Sequence, residues 1–455
     1  MNWRPALRAA AGLAVLLTTT AANAAPPQRT NLRYDEDWSA NAGKSGIEGL
    51  KFLKLDDAGT VHATIGLELR ARHEGFDNPL WGDEPDTGYL WLRAMPYVDV
   101  QAGPVRGFVQ PIAGYVRGLT GRKGPADETG TDLLQGFADL RLELPGSGSI
   151  TVRGGRSLIA LGSERLVGLR YGPNIPQAFD GVRVITSRGR FRLDAFHVRP
   201  VQVGLGDFDD RTSGTRRLDG VYATAALGGG ANADLYWLGY RDHTARFGGV
   251  TGAEARDTFG LRLFGKRGQF SWNWETMIQR GTFAGRRIRA WSQATETAIS
   301  FPHLRFQPRL RLRANVASGD RNPQDGTLST FNALFPKGRY FGELTPIGPR
   351  NIINVHPSID VNLGHGVSLE LSAAAFWRET TGDGIYDVPG QLIRPAGGSK
   401  ARHIGNQVEL VASWQVSPTL SCSASLSLFT PGAFLRDTGP SRTIGMAGLE
   451  TAFKF

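Results

Sequence analysis

Arg309, Arg311 and Arg313 stand two residues apart, with Leu310 and Leu312 between them. In an extended chain alternate side chains share a face, so the three guanidiniums would stand side by side. Like charges so placed repel unless anions or several acids lie among them, and a guanidinium fork takes a carboxylate bidentately. The chemistry offered is recognition of a carboxylated solute. Residues for catalysis or metal binding are sparser. Gly43-Lys44-Ser45 ends like a phosphate loop, yet Trp38 stands where the cradle needs its first glycine. The segment Asp320 to Gly326 resembles a calcium loop, but its glycine is one place late and Phe331 occupies the twelfth position, where a bidentate Glu is required. A plain solvated loop competes there with adventitious cation binding, as it does at Asp207, Asp209 and Asp210. The 8 histidines hold no His-x-x-x-His pair, the single cysteine forms no zinc cluster, and no Gly-x-Ser-x-Gly elbow occurs. No catalytic residue, cofactor or metal is expected, and a hydrolase would need a Ser-His pair assembled from distant strands.

The elements that must position the arginines are strands. Over 304–316, Leu304, Phe306, Leu310, Leu312, Ala314 and Val316 fall on one face, against Arg305, Gln307, Arg309, Arg311, Arg313 and Asn315 on the other. Weaker alternation recurs at Leu67-Glu68-Leu69-Arg70, at Asp139-Leu140-Arg141-Leu142, around Arg262, and at Gln407-Val408-Glu409-Leu410. Cys422 shares a face with Leu420, Ala424, Leu426 and Leu428 and reads as a small apolar residue. From His62 onward, segments of about ten to fifteen residues are separated alternately by tight turns and by longer polar loops. The turns fall near Gly103, Gly146 to Gly148, Gly189, Gly228 to Gly230, Gly268 and Gly364 to Gly366. The loops include 118–130, 162–174, 242–253, 319–350 and 380–400.

This is the pattern of an all-β, transmembrane antiparallel barrel with short periplasmic turns and long extracellular loops; spacing gives about eighteen strands, enough to leave an aqueous lumen. Residues 1–24 read as a signal peptide, with Arg4 and Arg8 before a short apolar run and Ala22-Asn23-Ala24 at its end. Residues 25–60 form a periplasmic or barrel-base segment, and 61–455 the barrel. Its last strand, 443–455, closes on Phe455, which resembles the assembly signal of outer-membrane proteins. No later stretch has the roughly 18 consecutive apolar residues of a membrane helix. One cysteine allows no internal disulfide, so an exported chain must be held by its sheet. The 59 Gly, 10 Trp, 10 Tyr and 23 Phe suit turns and interfacial aromatics, though a soluble all-β protein would share them. Tandem propeller blades should repeat, and no repeat is visible.

The net charge is +10, and +8 once Arg4 and Arg8 are removed. The arginines are scattered singly, without a nucleic-acid motif, so an anionic solute is the better partner. If apolar faces meet lipid, Arg70, Arg93, Arg141, Arg153, Arg183, Arg192, Arg262, Arg289, Arg309, Arg311 and Arg313 line the lumen, with Glu68, Asp139, Glu143, Asp194 and Glu409 among the inward acids. Any one arginine could instead pair across strands and merely stiffen the wall.

Longer strings sharpen this. Arg33-Tyr34-Asp35-Glu36-Asp37-Trp38, Ser318-Gly319-Asp320-Arg321-Asn322-Pro323 and Phe331-Asn332-Ala333-Leu334-Phe335-Pro336 leading to Tyr340-Phe341-Gly342-Glu343 are individually unusual. So are Gly348-Pro349-Arg350-Asn351, His356-Pro357-Ser358, Tyr386-Asp387-Val388-Pro389-Gly390 and Arg394-Pro395-Ala396-Gly397-Gly398-Ser399. Together they resemble the alginate-export family of outer-membrane porins across nearly the whole mature chain. The resemblance implies an eighteen-stranded monomeric barrel in the Gram-negative outer membrane, passing an anionic uronate polymer outward through an arginine-rich lumen. It also implies surrounding outer-membrane lipid and periplasmic export or assembly partners. The residues themselves leave open an uptake porin for small carboxylates or sugar acids, and less readily a barrel-borne hydrolase or a structural barrel. Loop 319–350 is expected either to gate the mouth or to cap the rim.

Overall fold

The computed structural model describes residues 29–455, and in it eighteen antiparallel strands close into one barrel. The signal peptide expected over 1–24 lies outside the described residues. In chain order the first nine strands are β1 (Val61–Asp77), β2 (Thr87–Ala102), β3 (Val105–Arg117), β4 (Gly130–Leu144), β5 (Gly148–Leu158), β6 (Ala178–Arg188), β7 (Phe191–Gln202), β8 (Arg216–Gly228) and β9 (Ala231–Phe247). They are followed by β10 (Val250–Arg267), β11 (Phe270–Phe283), β12 (Arg286–Ser300), β13 (Arg309–Ala317), β14 (Ile352–Gly364), β15 (Val367–Trp377), β16 (His403–Gln415), β17 (Leu420–Pro431) and β18 (Ile444–Lys454). Each pairs with its sequence neighbour, and β18 returns to β1, from Glu68 opposite Lys454 to Asp77 opposite Gly445. Closure leaves no barrel edge, so backbone groups in the wall are satisfied within the sheet, as a bilayer requires.

Parity follows the leucines over much of the wall. Leu140, Leu142, Leu261, Leu263, Leu310 and Leu312 are exposed on the outside, while Asp139, Arg262, Arg311 and Arg313 turn inward. Two inner-face glycines make room for rings on neighbouring strands. Phe196 lies over Gly220 and Tyr236 over Gly260, where a Cβ would collide with the aromatic carbons.

Three boundaries differ from the sequence reading. Residues 304–308 do not extend β13; they form part of the periplasmic turn, with positive φ at Phe306 and Gln307. Apolar alternation there reflects a turn that presents Leu304 and Phe306 outward, not a longer strand. Residues 242–253 are no loop, because β9 and β10 continue past the rim and turn at Gly248-Gly249. Loop 318–351 starts at the rim, where Thr327 and Leu328 pair alongside Arg287 and Ile288, but does not end there. It runs into the barrel, where Phe331, Leu334, Phe335, Phe341 and Leu344 are buried in the principal apolar cluster.

The segment before β1 enters the base. Leu53–Lys54 pairs with His62 and Ala63, and the Tyr34 ring is buried edge-on to Phe108 and Phe137, its hydroxyl donating to the Leu158 carbonyl at 2.9 Å. Lys51 Nζ donates to Tyr97 Oη at 3.0 Å and lies 4.3 Å from the centre of the Phe455 ring.

Candidate functional site

The lumen is crossed by two loops. The third extracellular loop, 159–177, meets the seventh, 318–351, in a short parallel bridge between Val167 and Phe335. Gly168 N donates to Phe335 O at 2.8 Å, Phe335 N to Leu166 O at 2.8 Å, and Lys337 N to Glu164 O at 2.9 Å. Backbone bonding thus fixes the crossing, and the buried side chains of loop 318–351 anchor it against the wall.

That anchoring explains the one misplaced arginine. The inner face of β12 is Ile288, Ala290, Ser292 and Ala294, all buried. Arg289 therefore lies on the outer face, sharing it with the exposed Trp291, and is not in the lumen. The rule that apolar faces meet lipid fails where the interior holds an apolar loop.

The other sequence candidates point inward, in three electrostatic situations. Arg70 and Arg93 hold loop 159–177: Arg70 donates to the carbonyls of Tyr171, Gly172 and Pro173 at 2.6 to 3.0 Å, and Arg93 to that of Asn174 at 3.0 Å. Their carboxylate partners are Glu450 at 3.0 Å and Glu68 at 2.8 Å. A second group pairs within the wall. Arg153 grips Asp139 through two 2.8 Å bonds and stacks 3.8 Å above Phe137. Arg183 and Arg192 share Asp194, Arg262 meets Asp234 at 2.7 Å, and the exposed Arg141 meets Glu143 at 2.7 Å.

The third situation is on β13. Arg311 reaches Asp360 at 3.0 Å and Glu370 at 2.9 Å, but among the described residues neither Arg309 nor Arg313 has a carboxylate within 4.0 Å. Arg313 instead contacts His356 Nε2 at 3.0 Å. Lys337, on the crossing loop, also has no carboxylate partner among the described residues. Burial, then the neighbouring Arg165 and Arg313 charges, holds its ammonium below the ordinary lysine range.

Periodicity missed Lys337, Arg165 and Arg339 because they lie on loops, where parity says nothing. Arg165 meets Glu275 at 2.7 Å, while Arg339 bridges Glu74 at 2.9 Å and Glu343 at 2.6 Å. Arg72 joins the same group through Glu343 and Glu450; its strand parity was legible, but the acids brought by loop 318–351 were not.

Cavities flank the crossing. On the periplasmic side one of about 440 Å³ is lined by Asp35, Arg141, Arg153, Arg183 and Arg192. On the extracellular side one of about 600 Å³ is lined by Arg170, Arg216, Arg246, Arg339 and Arg350. A third, of about 590 Å³, opens at the periplasmic end beside Arg309, Asp360 and Glu370. Basic side chains dominate the first two, which suits anions.

Among the loop acids, Asp132, Asp209 and Asp210 bring one carboxylate oxygen each within 4.8 Å of the others. Asp207 lies apart from that group, accepting from Thr131 N at 2.6 Å. Asp320 is ion-paired to Arg286 at 2.6 Å, and Asp325 accepts from Thr327 N, so segment 320–326 is braced by its own protein contacts.

A closed wall with an apolar exterior and a charged, loop-crossed lumen defines an outer-membrane β-barrel pore of Gram-negative type. The chain belongs to the alginate export family, whose sequence model matches residues 61–446. Among solved structures it resembles Acinetobacter baumannii OccAB1, with TM-score 0.58 and 12% identity over 86% of this chain and 97% of that one. Pseudomonas aeruginosa OccK8 (OprE) gives TM-score 0.58 and 10% identity over 86% and 98% of the two chains. OccK11 (OpdR) of the same organism gives 0.56 and 14% over 86% and 96%. At these identities the likeness is one of fold. No curated protein matches the sequence. Family and fold are those of transport pores.

Proposed function

We propose that the barrel passes an anionic polysaccharide of the polyuronate type, using lumen cations to replace the water that each carboxylate sheds. The observation that carries this reading is the proximity of Arg313 and Lys337 beside the loop crossing, neither with a carboxylate within 4.0 Å among the described residues. Arg309, Arg313, Lys337 and the mouth residues Arg141 and Arg192 meet the solute; Arg70, Arg93, Arg153, Arg183 and Arg262 position the wall and the crossing loops. Nearby acids such as Glu296, opposite Arg313, keep binding weak enough for release. The pore acts as a monomer, and a polymer would be delivered by periplasmic partners at the base, where the segment around Tyr34 enters.

A second reading, uptake of small carboxylates or sugar acids, is favoured by the bridge between Val167 and Phe335, which divides the lumen into chambers of a few hundred Å³. Single-channel recording on the refolded chain in a planar bilayer separates the two. Anion-selective current blocked by oligouronates, and not by neutral oligosaccharides, is expected for the polymer path. Block by monomeric uronates alone would favour uptake, and cation selectivity would defeat both.

A further inference from the structure

The outer wall carries charge that the lumen does not use. Antiparallel register lines up the outward side chains of β7 to β12 in rows around the barrel. One row reads Ala195, Val221, Trp237, Phe259, Ile278, Trp291. Two residues nearer the extracellular rim the next reads His197, Asp219, Gly239, Asp257, Arg280, Arg289. The one beyond it reads Arg217, Arg241, Ala255, Thr282, Arg287.

The aromatic row places the membrane. Phe270 faces Ile299 at the other end of β11 and β12, and the Phe270 and Trp272 rings stack at 5.7 Å. From Trp291 down to Ile299, at roughly 3.3 Å per residue and a tilt of roughly 40°, is about 20 Å along the bilayer normal. These two girdles bound the membrane-facing band, so Arg289 and Arg280 lie one step above it and Arg287 two.

Two arginines of these rows are compensated: Arg217 meets Asp219 at 3.0 Å and Arg241 meets Asp257 at 3.3 Å. Arg280, Arg287 and Arg289 are not. All three are exposed, and among the described residues their side chains make no ion pair or hydrogen bond. Asp257 faces Arg280 across the strands but is already held by Arg241 and by Trp237 Nε1 at 3.2 Å. Arg280 and Arg289 stand directly opposite one another, with Arg287 two residues further on the same face. Like charges so placed next to hydrocarbon are destabilising unless an anion lies between them.

We propose that Arg280, Arg287 and Arg289 form a binding site for a phosphorylated lipid headgroup of the outer leaflet. The acyl chains lie along Ile278 and Trp291, and the guanidinium forks hold the phosphates. Charge complementarity and continuity with the apolar band both single out a lipid anion, because a soluble one gains nothing from that band. The site lies outside the lumen, so it stands whichever solute the pore carries.

The test is native mass spectrometry of the full chain released from phosphatidylcholine nanodiscs doped with diphosphoryl lipid A or with its dephosphorylated form. Retention of the diphosphoryl lipid should exceed that of the dephosphorylated one by about tenfold or more, given three cations at the membrane surface. The triple substitution R280Q/R287Q/R289Q should remove that preference, while R217Q/R241Q should keep it. Equal retention of the two lipids by the unaltered chain would overturn the proposal without reliance on any variant. So would displacement of the lipid by millimolar inorganic phosphate, which would make this a site for soluble anions.

Discussion

Two stretches of the inner wall contain the same residue type on the same parity and use it differently. On β4 to β7, Arg153 and Arg183 have Asp139 and Asp194 within 2.8 Å, and both pairs are buried. On β13 the carboxylates gather around Arg311, leaving Arg309 and Arg313 without one among the described residues. A paired arginine that is also buried is part of the wall. A partly exposed one with no carboxylate closed on it is available to a passing anion. Orientation alone therefore does not identify a pore residue; whether a carboxylate closes to ion-pair distance on it does.

The largest expected effect comes from reversing the uncompensated pair. R313E/K337E should lower anion-over-cation permeability by about tenfold, equivalent to ~1.4 kcal/mol for an ion at the crossing. Reversal potentials in a salt gradient measure this. No change in selectivity would place the ion path elsewhere.

Breaking the paired wall should do the opposite. D194N leaves Arg183 and Arg192 without their shared carboxylate, at a cost of about 3–5 kcal/mol of the kind seen when a buried pair loses one member. Urea unfolding followed by the gel shift of the folded barrel should show the loss, while anion selectivity holds or rises because two guanidiniums are unmasked. A fall in anion selectivity would erase the contrast between the two stretches.

The smallest effect is a pH dependence. Lys337 holds its proton less tightly than an ordinary lysine of 10.5, because burial and two nearby arginines disfavour the charge. Anion selectivity should therefore decline with rising pH before ordinary lysines titrate, and K337R should flatten the profile. Docked in the lumen, the loop binds fewer protons than when free, so docking tightens as pH rises through that interval. A wild-type profile identical to that of K337R would remove Lys337 from the path.

Much of the barrel was legible because two-residue alternation and the switch between tight turns and long loops are local signals. They gave the strand number, the sidedness of the rims and the inward stripe on β13. The crossing of loops 159–177 and 318–351 was not legible: neither loop has a period, and the contact between Val167 and Phe335 joins distant parts of the chain. Arg289 failed for a connected reason. Ile288, Ala290 and Ala294 read as a lipid face when they are the wall against which an apolar loop packs. Arg165, Lys337 and Arg339 became visible as lumen groups only once that loop was in place.

The seat of the base segment has a consequence for assembly. Arg33 donates to the carbonyl oxygen of Phe455 at 3.0 Å, Lys51 rests on the Phe455 ring and on Tyr97 of β2, and Leu67 of β1 exchanges backbone bonds with Phe455. The seat is thus built from both sides of the seam between β1 and β18. Until that seam zips, the segment has no complete seat. A half-inserted barrel offers only one side of that seat, so docking of the segment follows closure of the cylinder.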